Sequence, residues 1–419
     1  MKIQINHLAK MEGHAGFLGH ILDNDIAKAR IETQEGARLI EGMLIGRHFI
    51  DAPIITSRIC GICPVVHNLT AIKALENALQ IKVTKQTTDL RELMQYSQVI
   101  HSHALHLFFL SLPDFYGILN DLQLIKKQPK ETEFTLQIRN WSTEMVRIIG
   151  GRTIHPIASE IGGFKTLPSI DDLKKLQNDL PSVIEQAVQL AKFFMKLKYP
   201  DLSRDTEYLS LHTKDNYAIY TGDIKSNKSK MIKIDQFAQK ISEIKKPYDA
   251  VKRTKLDGSS FMVGAIARLN NNHQQLQPLA KKILQQTKIK LPTYNSFHNV
   301  LAQAIEVVHC LEASQKILDK VLDQGIRPET QQKYQVKACE GVGVVEAPRG
   351  MLFHYYRLDQ DGFIRDCNVI TPTAQFLYNL EDDLKIYLPD IMKMSDQERR
   401  QQIRLLIRAY DPCISCATH

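Results

Sequence analysis

Residues 1–32 alternate between apolar and polar positions in the manner of strands. Glycines fall at Gly13, Gly16 and Gly19 and a turn signal at 23–25, which predicts a small N-terminal sheet. Helices are expected at 36–47 and near 68–80, and the pattern from about 86 to 200 is helical throughout. Within 88–110, Leu90, Leu93, Met94, Val99, Leu105 and Phe108 follow a 3.6-residue repeat. Pro113, Pro156, Pro168 and Pro181 are expected to divide this region into separate helices, one of them running over 181–198. Residues 201–264 change to short apolar patches between polar turns, which predicts a β-rich excursion. Helical periodicity resumes at 270–287. It is strongest at 294–323, where Val300, Ala304, Val307, Val308, Leu311, Ile317 and Val321 form one apolar stripe, read as core. Strands and turns return at 335–372, and a last helix is expected near 396–408.

These elements predict a mainly α (α+β) protein with a central bundle of long helices and small peripheral β-containing parts. At 419 residues the chain is long enough for packed subregions around a large interior. The expectation is a single domain over 1–419, with subregions 1–67, 68–200, 201–264 and 265–419. Composition adds little, since 43% hydrophobic and 24% charged residues are ordinary for a globular protein. The net charge of +8 is spread along the chain. Its densest runs, KSNKSK (225–230) and EIKKPYDAVKRTK (243–255), lack the interleaved aromatics that a single-strand binder stacks on, so no nucleic-acid partner is expected. No signal peptide and no membrane span are evident, and a cytoplasmic protein is expected.

The candidate chemistry lies in the cysteines. RICGICPVVH (58–67) holds two cysteines three apart with a histidine beyond them, and DPCISCATH (411–419) repeats the arrangement at the end of the chain. Two residues between sulfurs let both thiolates face one ion, and two such pairs supply four soft donors. Spacing alone most often means structural zinc. A zinc staple usually closes a short segment, however, and these pairs tie the beginning of a large chain to its end. Seven cysteines, an odd number, also argue for thiolate chemistry over a disulfide framework.

The two motifs resemble the signatures of the large, catalytic subunit of nickel-iron hydrogenases, R-x-C-G-x-C-x-x-x-H and D-P-C-x-x-C-x-x-H. KMEGHAG (10–16), LIEGMLIGRHFIDAPIITSRICGIC (39–63), GGRTIHP (150–156), VGAIARLN (263–270), GVVEAPRG (343–350) and VITPTAQ (369–375) extend the likeness over nearly the whole chain. The resemblance implies the large-subunit fold and reversible heterolytic cleavage of H2 at a Ni-Fe centre whose iron carries carbon monoxide and two cyanides. It makes Cys60 and Cys413 terminal nickel ligands, and Cys63 and Cys416 bridges between nickel and iron.

The same resemblance makes Glu12 a proton relay. Arg349 would sit over the diatomic ligands, paired with Asp114, and Pro348, Thr371, Pro372 and Thr373 would line their pocket. His67 would hydrogen-bond a bridging thiolate, and Arg58 would favour ionised thiolates. Glu41, His419 and the carbonyl of Val369 would hold Mg2+ (or Fe2+) near the C-terminus. Alone, Glu12 reads as a surface acid at a strand end and Asp114 as a helix cap. Cys310, Cys339 and Cys367 match no ligand position, and His14, His101, His103, His106 and His155 are read as ordinary core or surface histidines.

In one departure from the family pattern, Phe376 stands where an asparagine is common. Many members also carry a C-terminal extension that a maturation protease removes after the motif histidine, and this chain ends at His419, as a processed form or one made without the tail. The implied partners are an iron–sulfur small subunit, diaphorase-type NAD(P)/flavin subunits and maturation factors. The chain most resembles the cytoplasmic, cofactor-coupled hydrogenases, including NADP-linked and sulfur-reducing types. A hydrogen-sensing regulatory homologue and a tetrathiolate zinc scaffold are the alternatives; the related quinone-site subunit of respiratory complex I lacks these cysteines.

Overall fold

The computed structural model describes residues 2–22, 25–118, 120–228, 231–246, 249–329 and 334–419. Positions 23 and 24 of the expected turn, 229–230 of the first basic run and 247–248 of the second lie outside the described residues.

Four long helices, Lys85–Leu105, Pro129–Gly150, Ile170–Met195 and His298–Gln324, pack in a closed cycle, each against the next. Two of them begin with a side-chain cap: Thr84 accepts from the Thr87 amide at 3.0 Å and Ser169 from the Asp172 amide at 3.1 Å. Pro181 does not break its helix as predicted, because it lies inside Ile170–Met195. A proline there costs about 3 kcal/mol. The buried stripe of Leu173, Leu176, Leu180, Ile184, Ala187 and Leu190, on a helix packed against His298–Gln324, offsets that cost.

The N-terminal sheet forms as the antiparallel set Lys2–Ile5, Ala15–Leu22 and Asp25–Thr33. Residues 201–264 contain two small hairpins, with a helix at Ile234–Lys240 that the sequence pattern did not suggest. A second antiparallel sheet, Cys339–Ala347, Gly350–Leu358 and Ile364–Ile370, packs against the helix Pro64–Leu79. Gly341 and Gly343 allow that approach. A Cβ on Gly343 would stand 2.5 Å from both the Ala74 amide and the Thr70 carbonyl.

The helix Pro372–Ile391 was hidden in the sequence because its polar residues point inward. Glu381 bonds Arg253, Asp383 bonds Arg204 and Tyr410, and the Gln375 amide donates to the Met351 carbonyl at 2.6 Å. Among the described residues no helix is long and apolar enough to cross a membrane.

Candidate metal centre

The first cysteine pair lies where a short turn, Ser57–Ile59, gives way to the helix Pro64–Leu79, with Cys63 at the helix N-cap. The second pair flanks the start of the last short helix, Ile414–Ala417. Their sulfurs meet: Cys60 Sγ is 3.7 Å from Cys413 Sγ, Cys63 Sγ is 3.2 Å from Cys416 Sγ, and all four lie within 4.8 Å of one another. Every one of these residues is buried.

Two other segments hold the ends of the chain together. Glu12 pairs with Cys413 through a parallel bridge in which the Ile414 amide donates to the Glu12 carbonyl at 2.9 Å. Gly13 follows at φ +82°, and a Cβ there would meet Ile414 Cβ at 2.8 Å, so glycine lets the C-terminus close in. Arg38 donates to the carbonyl of Ile59 at 2.6 Å and to that of Ser415, clamping one cysteine segment to the other. Nothing in the spacing around Arg38 marks it in the sequence.

The four thiols cannot all ionise in so small a volume without a cation. Hydrogen bonds from Cys413, then Cys416 and Cys63, hold Cys60 well below the usual thiol range. Burial pushes Cys413 and Cys416 well above it. Cys63 is pulled down by bonds to Cys413 and Cys416 but ends raised, because the Cys60 contact and burial outweigh them. A divalent soft metal removes this conflict, and four convergent sulfurs are the donor set it requires.

A small cavity beside the sulfurs is lined by Cys63, His67, Pro348, Arg349, Pro372, Thr373, Cys413 and Cys416. The Arg349 guanidinium spans its wall: Nε donates to the Asp411 carbonyl at 2.7 Å and Nη2 contacts Asp411 Oδ1 at 2.9 Å. Burial opposes its charge, but Asp411 and then Cys413, Cys63 and Cys60 outweigh burial and keep it cationic. Nη1 is buried without a hydrogen-bond partner, a donor held ready for a group in the cavity. Thr373 Oγ1 accepts from the Cys413 amide at 3.0 Å and so ties the wall to the cluster.

Three expectations need correction here. Asp114 does not pair with Arg349. It bonds Arg408, with Arg404 at 3.7 Å, and burial, partly offset by these arginines, raises its pKa. Asp411, inside the DPC motif itself, takes the place of partner because the turn before Cys413 carries it under the guanidinium. Arg58 is exposed while its neighbours Ser57 and Ile59 turn inward, and the arginine facing the thiolates is Arg349. Thr371 is not part of the cavity wall but the N-cap residue of Pro372–Ile391, with its hydroxyl buried and unpartnered.

His67, one helical turn beyond Cys63, is among the residues lining the cavity, and its Nδ1 meets His354 Nε2 at 3.2 Å. Burial lowers the His67 pKa to about 3 and takes His354 well below the usual value, so both rings are neutral. His354 was not expected from the sequence.

Of the expected second ion site, Glu41 and His419 come together, with His419 Nε2 3.6 Å from Glu41 Oε1. Val369 reaches Glu41 through its amide, which donates to the carboxylate at 2.8 Å, and not through the carbonyl expected as a ligand. His419 Nδ1 bonds the Cys416 carbonyl at 2.7 Å, so in the neutral ring Nε2 bears a lone pair facing a carboxylate, with no hydrogen-bond partner. A cation between them is the natural complement. Lys252 already contributes one charge, its Nζ lying 2.9 and 2.7 Å from the two Glu41 oxygens. Burial of Glu41 is overcome by His419 in its protonated form and by Lys252, which bring its pKa down to about 2.

The remaining candidates are ordinary core or surface groups. Phe376 is fully buried, its ring 5.5 Å from that of Tyr410. His103 bonds Glu306 at 2.8 Å, His106 bonds Gln303 at 2.6 Å, and His155 bonds the Ser57 carbonyl at 2.9 Å. His14 is exposed, and His101 is half-buried with its Nδ1 unpartnered. Cys310, Cys339 and Cys367 are unpaired and lie outside the four-sulfur cluster.

The family model described as nickel-dependent hydrogenase matches residues 38–142 and 205–419. Sulfhydrogenase 1 subunit alpha of Pyrococcus furiosus is 32% identical over 422 residues, covering 100% of this chain and 98% of that protein. The NAD-reducing hydrogenase HoxS subunit beta of Cupriavidus necator is 29% identical over 467 residues, covering 100% and 94%. A crystal structure of an NAD+-reducing NiFe-hydrogenase in the H2-reduced state superposes with a TM-score of 0.87 at 26% identity, covering 100% of this chain and 99% of that one. The Ni-Fe-Se hydrogenase of Desulfomicrobium baculatum, at TM-score 0.79 and 21% identity over 100% of both chains, shares the fold.

Proposed function

The chain belongs to the nickel-dependent hydrogenase family, and from that premise we infer that it is a large subunit whose reaction is the reversible conversion of H2 to two protons and two electrons. The observation that carries this reading at the level of chemistry is the meeting of four sulfurs within 4.8 Å, with Glu12 Oε2 2.9 Å from Cys413 Sγ. A nickel-iron centre held there, its iron carrying carbon monoxide and cyanide, supplies the heterolytic cleavage of dihydrogen.

The roles of this chain's residues follow from their positions. Cys60, Cys63, Cys413 and Cys416 would hold the nickel-iron centre through their four convergent sulfurs. Cys413 Sγ passes a proton to Glu12, which is half-buried and so stands between the dry cluster and the outside. The Ser415 amide donates to the same carboxylate oxygen at 3.2 Å and fixes its orientation. Arg349 Nη1 offers its free donor to a cyanide nitrogen or to substrate in the cavity, while Asp411 keeps the guanidinium from swinging away. His67, which lines the same cavity, would donate a hydrogen bond from Nε2–H to a thiolate sulfur there, and Pro348, Pro372 and Thr373 keep water out. Glu41 and His419 would hold magnesium through carboxylate and imidazole.

Electrons need a partner, since the three remaining cysteines do not form an iron–sulfur pattern. We place an iron–sulfur small subunit next to the cluster. By likeness to the sulfhydrogenase and NAD-reducing relatives, we also expect diaphorase-type subunits that deliver electrons to NAD(P) in the cytoplasm. The two ends of the chain build one site, which supports treating 1–419 as one domain. The test is hydrogen uptake by the purified complex with NAD+ or NADP+ as acceptor. Pyridine-nucleotide reduction that depends on H2 and on bound nickel supports the reading; a complex that binds zinc in place of nickel and takes up no H2 refutes it.

A further inference from the structure

Beyond the cluster, three polar side chains form a line through the core. His67 Nδ1 meets His354 Nε2 at 3.2 Å, and His354 Nδ1 meets the Tyr356 hydroxyl at 2.9 Å. His354 and Tyr356 stand two residues apart on the strand Gly350–Leu358, so they share one face of the sheet, and that strand packs against the helix Pro64–Leu79 carrying His67. His354 and Tyr356 are 0% exposed and His67 is 1% exposed, so water does not complete these bonds. Neither nitrogen of His354 has another partner.

The bond pattern permits only two directions. A contact between two imidazole nitrogens holds one proton, so one ring donates and the other accepts. In one direction Tyr356 donates to His354 Nδ1, His354 Nε2–H donates to His67 Nδ1, and His67 carries its proton on Nε2, its second ring nitrogen. In the other, His67 donates from Nδ1 and is left with a bare lone pair on Nε2. A metal-bound thiolate only accepts hydrogen bonds, so the second direction sets lone pair against lone pair and the first is selected. Burial holds the Tyr356 hydroxyl protonated, which keeps a donor at the far end.

We propose that Tyr356, acting through His354, is a positioning residue that fixes His67 in the Nε2–H form and so sets the strength of its hydrogen bond to a bridging thiolate. This rests on the reading of His67 as a thiolate donor. The Tyr356 hydroxyl is also held by a hydrogen bond with Thr56. A phenol buried in this way donates a hydrogen bond to His354 while staying neutral, where a carboxylate would pull the proton of His354 the wrong way.

The test compares the purified complex with its Tyr356→Phe and His67→Ala variants by infrared spectroscopy of the iron-bound carbon monoxide, alongside nickel content and H2-oxidation kinetics. Phenylalanine keeps the ring and removes the donor. Losing the bond to sulfur makes the thiolate a stronger donor to iron, so in Tyr356→Phe the carbon monoxide band moves to lower wavenumber, in the same direction as in His67→Ala and by less. Nickel content stays full and kcat falls more than KM changes. A band unmoved in Tyr356→Phe but shifted in His67→Ala overturns the role of Tyr356 and leaves that of His67 standing. A band unmoved in both overturns the reading of His67 itself. Loss of nickel in Tyr356→Phe also counts against the proposal, since it marks a role in folding only.

Discussion

Cys413 Sγ lies 2.9 Å from Glu12 Oε2, although 401 residues separate the two in the chain. A thiol and a carboxylate in hydrogen-bond contact form a proton-transfer pair whatever metal the thiol binds. Replacing Glu12 by glutamine keeps the shape and removes the base. Turnover of H2 is expected to fall by about 10²–10⁴-fold, the usual scale for losing a positioned acid–base group. Nickel and iron contents should stay at wild-type levels in elemental analysis, which separates a lost relay from a lost cluster.

Arg349 holds Asp411 with Nε and Nη2 and leaves Nη1 free in the cavity wall. A lysine has one ammonium and cannot satisfy both duties. Arg349→Lys should therefore lower kcat for H2 oxidation by about 10²–10³-fold, the range for removing one pre-aimed donor. Asp411→Asn, which weakens the anchor but spares the donor, should cost less in the same assay. Asp114→Asn should disturb the Arg408 contact and leave the infrared bands of the centre in place.

Gly343, with Gly341, is where the strand Cys339–Ala347 touches the backbone of Pro64–Leu79. An alanine there places a Cβ 2.5 Å from the Ala74 amide and the Thr70 carbonyl, and the helix must shift to make room. Overpacking of this kind costs about 1–3 kcal/mol. Because the same helix begins at Cys63, Gly343→Ala is expected to lower both the thermal midpoint and the nickel content, measured by calorimetry and elemental analysis.

Burial raises the pKa of Glu346 to about 7, against the pull of Arg268. A folded value above the unfolded one means that the folded state binds the extra proton. Stability from this group is thus full below about pH 4.5 and declines as pH rises toward 7. One proton gives a slope of at most about 1.4 kcal/mol per pH unit. Glu346→Gln should flatten the profile of denaturant midpoint against pH over this window.

Much of the site was legible because its chemistry sits in short, rigid spacings. The two CxxC units stand out by residue type and interval, and the sulfurs do meet; Glu12, His67 and His419 are marked only by the resemblance to nickel-iron hydrogenases, since alone Glu12 reads as a surface acid. What was not legible depends on contacts across the chain. Asp114 and Asp411 are both aspartates near a proline, and only the fold decides which reaches Arg349. Arg38 works through backbone carbonyls, which leave no trace in sequence. Lys252 lies in a basic run that reads as solvated surface, yet its ammonium sits on Glu41. Among the elements, Pro181 misled because tertiary packing overrode its local cost, and Pro372–Ile391 was concealed by inward-facing acids.

The ion at the C-terminus is a separate prediction. With a neutral imidazole, Glu41 and His419 face each other with a lone pair toward a carboxylate, and Lys252 shares its one charge between Glu41 and Glu243, the latter at 3.9 Å. Magnesium is expected in the purified protein at one per chain. Glu41→Gln should remove it, loosen the last residues and lower nickel retention on dialysis, because His419 is anchored to the carbonyl of Cys416, itself a predicted nickel ligand.

The most direct test of the account is infrared spectroscopy of the purified complex, read with its metal content. Stretching bands of iron-bound carbon monoxide and cyanide, with one nickel and one iron at the four cysteines, are the predicted result, and both should vanish in Cys63→Ser. Stoichiometric zinc with no such bands would contradict it.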